Sequence, residues 1–125
     1  MLGLTGISND MRTLEEAAQE GNERAELALR VYCYWLKKYI GAYTAALGRV
    51  DALVFTGGVG ENSDIVRERS LEGMDLLGYA LDLNKNAVTR GVEADLSGPG
   101  SRSRVLVVPT YEELMIVKET CRLAM

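Results

Sequence analysis

The 125 residues are 47% hydrophobic and 26% charged, the balance of an ordinary globular domain, and enough chain to bury one core without disulfides or a structural metal. With 14 basic against 18 acidic side chains the net charge is −4, the wrong sign for a footprint on nucleic acid or anionic lipid, so neither is expected as a partner. Histidine is absent, which excludes an imidazole general base, a Ser/His or Cys/His nucleophilic pair and a histidine-ligated zinc site within these residues.

In chain order, the first dozen residues mix Gly3, Gly6, Ser8, Asn9 and Asp10 with small apolar side chains and read as a loop. Thr13 and Glu16 stand in capping-box spacing and predict a helix that Gly21 ends. From Asn22 to Leu47, residues Leu29, Tyr32, Leu36, Ile40, Tyr43 and Leu47 recur at helical spacing, with a second stripe of Ala28, Val31, Trp35, Tyr39 and Ala46. A helix apolar over that much of its circumference is either central to a core or covered by another chain.

Asp51 to Thr56 is a short apolar run read as a buried strand, followed by Gly57 to Asn62 as a tight loop and by helical character from Ser63 to Gly73. Leu76 to Leu83 is read as a short strand, Asn84 to Val88 as a helical turn, and Glu93 to Ser103 as an exposed loop. Arg104 to Val108 is a second buried strand stopped by Pro109, and Thr110 to Ala124 a closing helix. Strands alternating with helices give an α/β fold class. Cys33 and Cys121 read as reduced thiols in apolar surroundings, and neither a signal peptide nor an apolar run of about 18 residues is present, so a cytoplasmic location is expected.

Three groups of residues carry candidate chemistry. Thr56-Gly-Gly-Val-Gly-Glu-Asn62 lies between a strand and a helix, where glycines let backbone N–H groups approach a ligand; it matches neither GxxxxGK[ST] nor GxGxxG. A ligand-free turn is the competing reading. Asp10-Met11-Arg12 offers a carboxylate for a ribose hydroxyl and a guanidinium for an adenine face or a phosphate, against a simple solvated salt link. After Pro109, Glu113 is placed to close a capping box with Thr110, leaving Glu112 as a carboxylate for Mg²⁺ or as an ordinary first-turn acid.

Together and in this order, these strings resemble the acetate kinase family, a branch of the sugar kinase and actin-like phosphotransferases. The resemblance is carried by Gly3-Leu-Thr-Gly-Ile-Ser-Asn-Asp-Met-Arg12, Lys38-Tyr-Ile-Gly-Ala-Tyr43, Asp51-Ala-Leu-Val-Phe-Thr-Gly-Gly-Val-Gly-Glu-Asn-Ser63 and Val108-Pro-Thr-Tyr-Glu-Glu-Leu114. It implies that residues 1–125 are the C-terminal part of the second domain of the actin-like ATPase (ribonuclease H-like) fold, with the N-terminal domain absent. The implied activity is reversible transfer of the γ-phosphoryl of ATP to acetate, giving acetyl phosphate and ADP, with Mg²⁺. Carried over by position, Asp10, Met11, Arg12, Gly58, Val59, Gly60, Glu61 and Asn62 become nucleotide-binding and Glu112 the metal carboxylate. The family usually has Asn where this sequence has Tyr111.

The groups that the resemblance implies at the transferring phosphoryl are not among these residues, so no catalytic residue is assigned and the chain alone is expected to be inactive. The region 22–47 resembles the helix through which these kinases form homodimers. Two alternatives remain: a propionate or butyrate kinase of the same family, and a non-catalytic module that binds nucleotide or dimerises.

Overall fold

The computed structural model describes residues 10–110, and helix α1 (Met11–Gln19) begins at its first turn. Asp10 is the N-cap, its carboxylate accepting the Arg12 N–H at 3.0 Å, so the helix starts ahead of the Thr13 predicted from the capping box. Two capping signals overlap here, and the earlier one prevails because Met11 and Arg12 are themselves good helix formers. Leu14 is buried against Ala25 and Ala28 of α2 (Glu23–Leu47), which Asn22 caps by accepting the Ala25 N–H. The long helix thus has the predicted bounds.

Strand β1 (Ala52–Phe55) follows, then α3 (Gly57–Asn62) and α4 (Asp64–Leu71). Leu29 and Cys33 of α2 bury against Val66 of α4. Burial pushes the Cys33 thiol up to about 11, which leaves it protonated and inert near neutrality. Cys121 and the predicted closing helix lie outside the described residues.

Where a strand is expected over 76–83, the chain forms a 3₁₀ turn (Asp75–Leu77), a single bridge from Leu81 to Ser97, and α5 (Leu83–Val88). Gly78, at φ +103°, turns the chain out of the extended conformation, and Asp82 starts α5 by accepting the Asn84 and Lys85 N–H groups. The segment 93–103 is likewise not an exposed loop. It contains β2 (Ala94–Asp95) and a fully buried Leu96, and its serines substitute for ladder partners: Ser97 Oγ accepts the Val105 N–H at 2.8 Å. The turn-forming residues that suggested a loop are there to satisfy backbone groups.

The sheet has the order β1-β3-β2, with β3 (Arg104–Val107) parallel to β1 in the register Phe55↔Val107 and antiparallel to β2. Val105 and Val107 are fully buried with Phe55, Ile40, Leu71, Met74 and Tyr79. Among the described strands β1 is an edge, and its Val54 is 47% exposed; the predicted buried strand is buried on one side only. Among the described residues no helix is long and apolar enough to cross a membrane.

One buried charge ties these elements together. Arg67 of α4 is completely buried, and its guanidinium donates to Asn86 Oδ1 (2.7 Å) and to the carbonyls of Gly60 (2.9 Å), Glu61 (3.0 Å), Asn86 (3.1 Å) and Thr89 (2.7 Å). Removing it leaves four carbonyls without this donor. Arg67→Met is therefore expected to lower stability by about 3 kcal/mol or more in urea unfolding, whereas an unchanged midpoint would show that α3 and α5 hold themselves.

A second tie is ionic. Glu26 of α2 accepts from Arg69 of α4 at 2.9 Å and from Arg30 at 3.2 Å, and the Arg69 hydrogen bond holds its carboxyl below the ordinary range. The folded chain binds this proton less readily than the unfolded chain. The contribution is complete at neutral pH and is lost as the pH falls through and below the ordinary carboxylate range. Glu26→Gln should lower the thermal midpoint by about 2 °C or more at neutral pH and converge with the unsubstituted chain near pH 3; a difference independent of pH would mean that the pair contributes through packing alone.

Candidate functional site

The glycine-rich segment is a short helix rather than the predicted loop. Thr56, extended at the end of β1, uses its hydroxyl to donate to the Val108 carbonyl at 2.7 Å, and Gly57 at φ +74° reverses the chain into α3. A Cβ on Gly60 would lie 3.3 Å from the carbonyl carbon of Phe55, so the helix can sit this close to the strand only because the side chain is missing. Glycine is a poor helix former, and three of them in six residues hide the helix in the sequence.

The acidic and amide residues at the end of α3 are engaged. Glu61 Oε1 accepts the Thr110 N–H at 2.9 Å, and Asn62 Nδ2 donates to the Gly58 carbonyl at 2.9 Å. Ser63 then caps α4 by accepting the Val66 N–H, and its hydroxyl donates to Glu15 Oε1 on α1. That bond joins α1 to the α3–α4 junction.

Between these two walls is a cleft of about 720 Å³. Of the residues singled out in the sequence, Asp10, Met11 and Arg12 line one side and Gly58, Val59 and Asn62 the other. Gly60 and Glu61 do not line it: Gly60 faces Phe55, and Glu61 is turned to Thr110. Glu112 and Tyr111 lie outside the described residues.

Sequence reasoning missed three cleft residues: Glu15, Ser63 and Arg90. Ser63 carries a legible N-cap signal, but that signal says nothing of a cleft. Arg90 has no sequence signal, because it follows α5 and reaches back across 28 positions. Its Nη1 donates to the Asn62 carbonyl at 3.0 Å and its Nη2 to Asp64 Oδ1 at 3.2 Å. The cleft thus presents Asp10 and Glu15 together with Arg12 and Arg90, with no excess of either sign. Arg12 extends into solvent beside Glu16, 3.9 Å away.

Among the described residues, no three His, Cys, Asp or Glu side chains are grouped to hold a metal. A smaller cavity of about 380 Å³ beside Cys33 is lined by the paired charges Glu26, Arg30 and Arg69, with the Lys37 ammonium engaged by the Glu72 carbonyl and the thiol kept protonated by burial.

The family model for the acetokinase family matches residues 1–118. The acetate kinase of Desulforamulus reducens is 57% identical over 120 residues, covering 96% of this chain and 30% of that protein. Among solved structures, Porphyromonas gingivalis acetate kinase superposes with a TM-score of 0.87 at 48% identity, over 99% of this chain and 31% of the other. A propionate kinase from Francisella tularensis gives a TM-score of 0.80 at 35% identity, over 94% and 29% respectively. This chain therefore spans about a third of the length of the relatives it matches, and the strands and helices described above have counterparts in them. On the extent of the family match and the identity to its relatives, the chain belongs to the acetokinase family.

Proposed function

We propose that these residues form the adenosine-binding part of the second domain of an acetate kinase, which moves the γ-phosphoryl of ATP onto a carboxylate oxygen of acetate and releases ADP, reversibly. The observation that carries this reading is the convergence of Asp10-Met11-Arg12 and Gly58-Val59 on one cleft from segments almost 50 residues apart. Asp10 supplies a carboxylate acceptor for a ribose hydroxyl, Arg12 a cationic plane for the base, and Gly58 and Val59 a wall with little side-chain bulk.

The described carboxylates do not by themselves fit Mg²⁺. Asp10 caps α1 and Glu15 accepts from Ser63, so the metal assignment rests on Glu112, as the resemblance implies.

The second half of α2 supports a homodimer. Tyr34, Trp35, Tyr39, Tyr43 and Leu47 are between 50% and 68% exposed, and the Trp35 ring lies edge-on to Tyr34 and tilted against Tyr39, with centroids 6.3 Å apart in each pair. Lys38 lies 4.7 Å over the Trp35 ring. Exposed aromatic side chains in one row, capped by a single cation, have the composition of an interface with a polar rim.

Two measurements test these assignments. A chimera in which this chain replaces the matching third of the Porphyromonas gingivalis enzyme should form acetyl phosphate from ATP and acetate, trapped as the hydroxamate. The chain alone should form none. A folded chimera that binds acetate but not ATP would refute the nucleotide role. For the dimer, Tyr39→Glu is expected to weaken self-association by about ten-fold or more in sedimentation, and a wild-type chain that is monomeric at every concentration would refute the assignment.

A further inference from the structure

Arg90 stands out among the cleft residues because it has no assigned role, and because its environment decides which end of a nucleotide it can serve. Its guanidinium is held by two bonds, one to the Asn62 carbonyl where α3 ends and one to the Asp64 carboxylate at the start of α4. One partner is a carboxylate and the other the negative end of a carbonyl dipole. Much of the Arg90 charge is therefore already compensated, which makes it a poor anchor for a phosphate. What remains is a flat, pre-oriented guanidinium with further N–H groups, a surface suited to the face or edge of a heteroaromatic base.

Its place in the cleft fits the same use. Arg90 is on the side of Asn62 and Ser63, across from Asp10, Met11 and Arg12 on α1. Arg90 thus lines a cleft of about 720 Å³ whose other lining includes Met11, Gly58 and Val59, a low-bulk, largely apolar surround suited to a planar ring. The two bonds orient the guanidinium before any ligand arrives while leaving the side chain 61% exposed and open to contact.

We propose that Arg90 is a nucleotide-binding residue that holds the purine base, acting through the plane of its guanidinium rather than through its charge on the phosphates. The assignment rests on the nucleotide reading of the cleft given above. It adds to that reading a residue that neither the glycine-rich segment nor Asp10-Met11-Arg12 contains.

The test uses two probes, ADP and adenosine, titrated calorimetrically into the full chain and into Arg90→Gln and Arg90→Lys. Both substitutions should weaken both probes by a similar factor, about ten-fold, because both remove the planar contact. Lysine keeps the charge and a donor for the Asn62 carbonyl, so its thermal midpoint without ligand should match the unsubstituted chain even if that of the glutamine variant falls. Weakening of ADP with adenosine unaffected would place Arg90 at the phosphates and overturn the assignment, as would full affinity in Arg90→Lys. A wild-type chain that binds neither probe would overturn the nucleotide reading and this inference with it, whereas wild-type binding with unaffected variants would overturn this inference alone.

Discussion

The arrangement depends on a cation buried without a carboxylate in contact. Arg67 donates to carbonyls of α3, the end of α5 and the Asn86 amide, and α4 carries it into the interior between them. Burial lowers its proton affinity below the usual arginine value, opposed by the charge of Asp64, yet an arginine remains ionised under any ordinary condition. The cost of removing this charge from water is offset by carbonyl dipoles at the C-terminal ends of two short helices, the ends that carry partial negative charge. Neither helix is long enough to be stable alone. The guanidinium fixes both at once, and with them the wall of the cleft that α3 provides and the point from which Arg90 departs.

The opposite wall is set by a different chain of contacts. Leu14 fixes α1 on α2 through Ala25 and Ala28, and α2 packs on α4 through Leu29, Cys33 and Val66. The Glu26–Arg69 pair adds an ionic tie between α2 and α4, and the Ser63–Glu15 bond closes the path directly between α1 and the α3–α4 junction. The two sides of the cleft are thus not held by a loop between them but by a helix packed against both. This is why residues 10–12 and 58–59 can face each other although α2 and β1 intervene in the chain.

What could be read from the sequence follows the range of the interactions. The bounds of α2, the β3 strand and the helical character from Ser63 onward are legible because helical and strand periods act within a few residues. The start of α1 was displaced because Asp10 and Thr13 both carry capping signals, and spacing alone does not rank them. α3 was taken for a loop because its stability comes from Arg67 and from contact with Phe55, not from its three glycines. Arg67 itself sits in Asp64-Ile-Val-Arg-Glu-Arg69, which has the composition of a solvated helix face, and nothing local distinguishes the one arginine that turns inward. Arg90 was invisible for the same reason: its partners are Asn62 and Asp64, and no local pattern encodes a contact across that separation.

The same separation bears on what the glycine-rich segment is for. A strand followed by glycines and a helix suggests backbone N–H groups facing a ligand, but here the polar side chains of the segment turn mostly to the protein: Glu61 to Thr110, Asn62 to Gly58, Thr56 to Val108. Two of these bonds join α3 and the end of β1 to residues 108–110. The third stiffens α3. Glu61 and Asn62 therefore help to fix where the parts of the cleft stand, and Asn62 lines it as well, beside Gly58, Val59, Asp10, Met11, Arg12 and Arg90. The shape of the cleft thus follows from the hydrogen bonds behind it, and its surface chemistry from the few groups that remain in front of it.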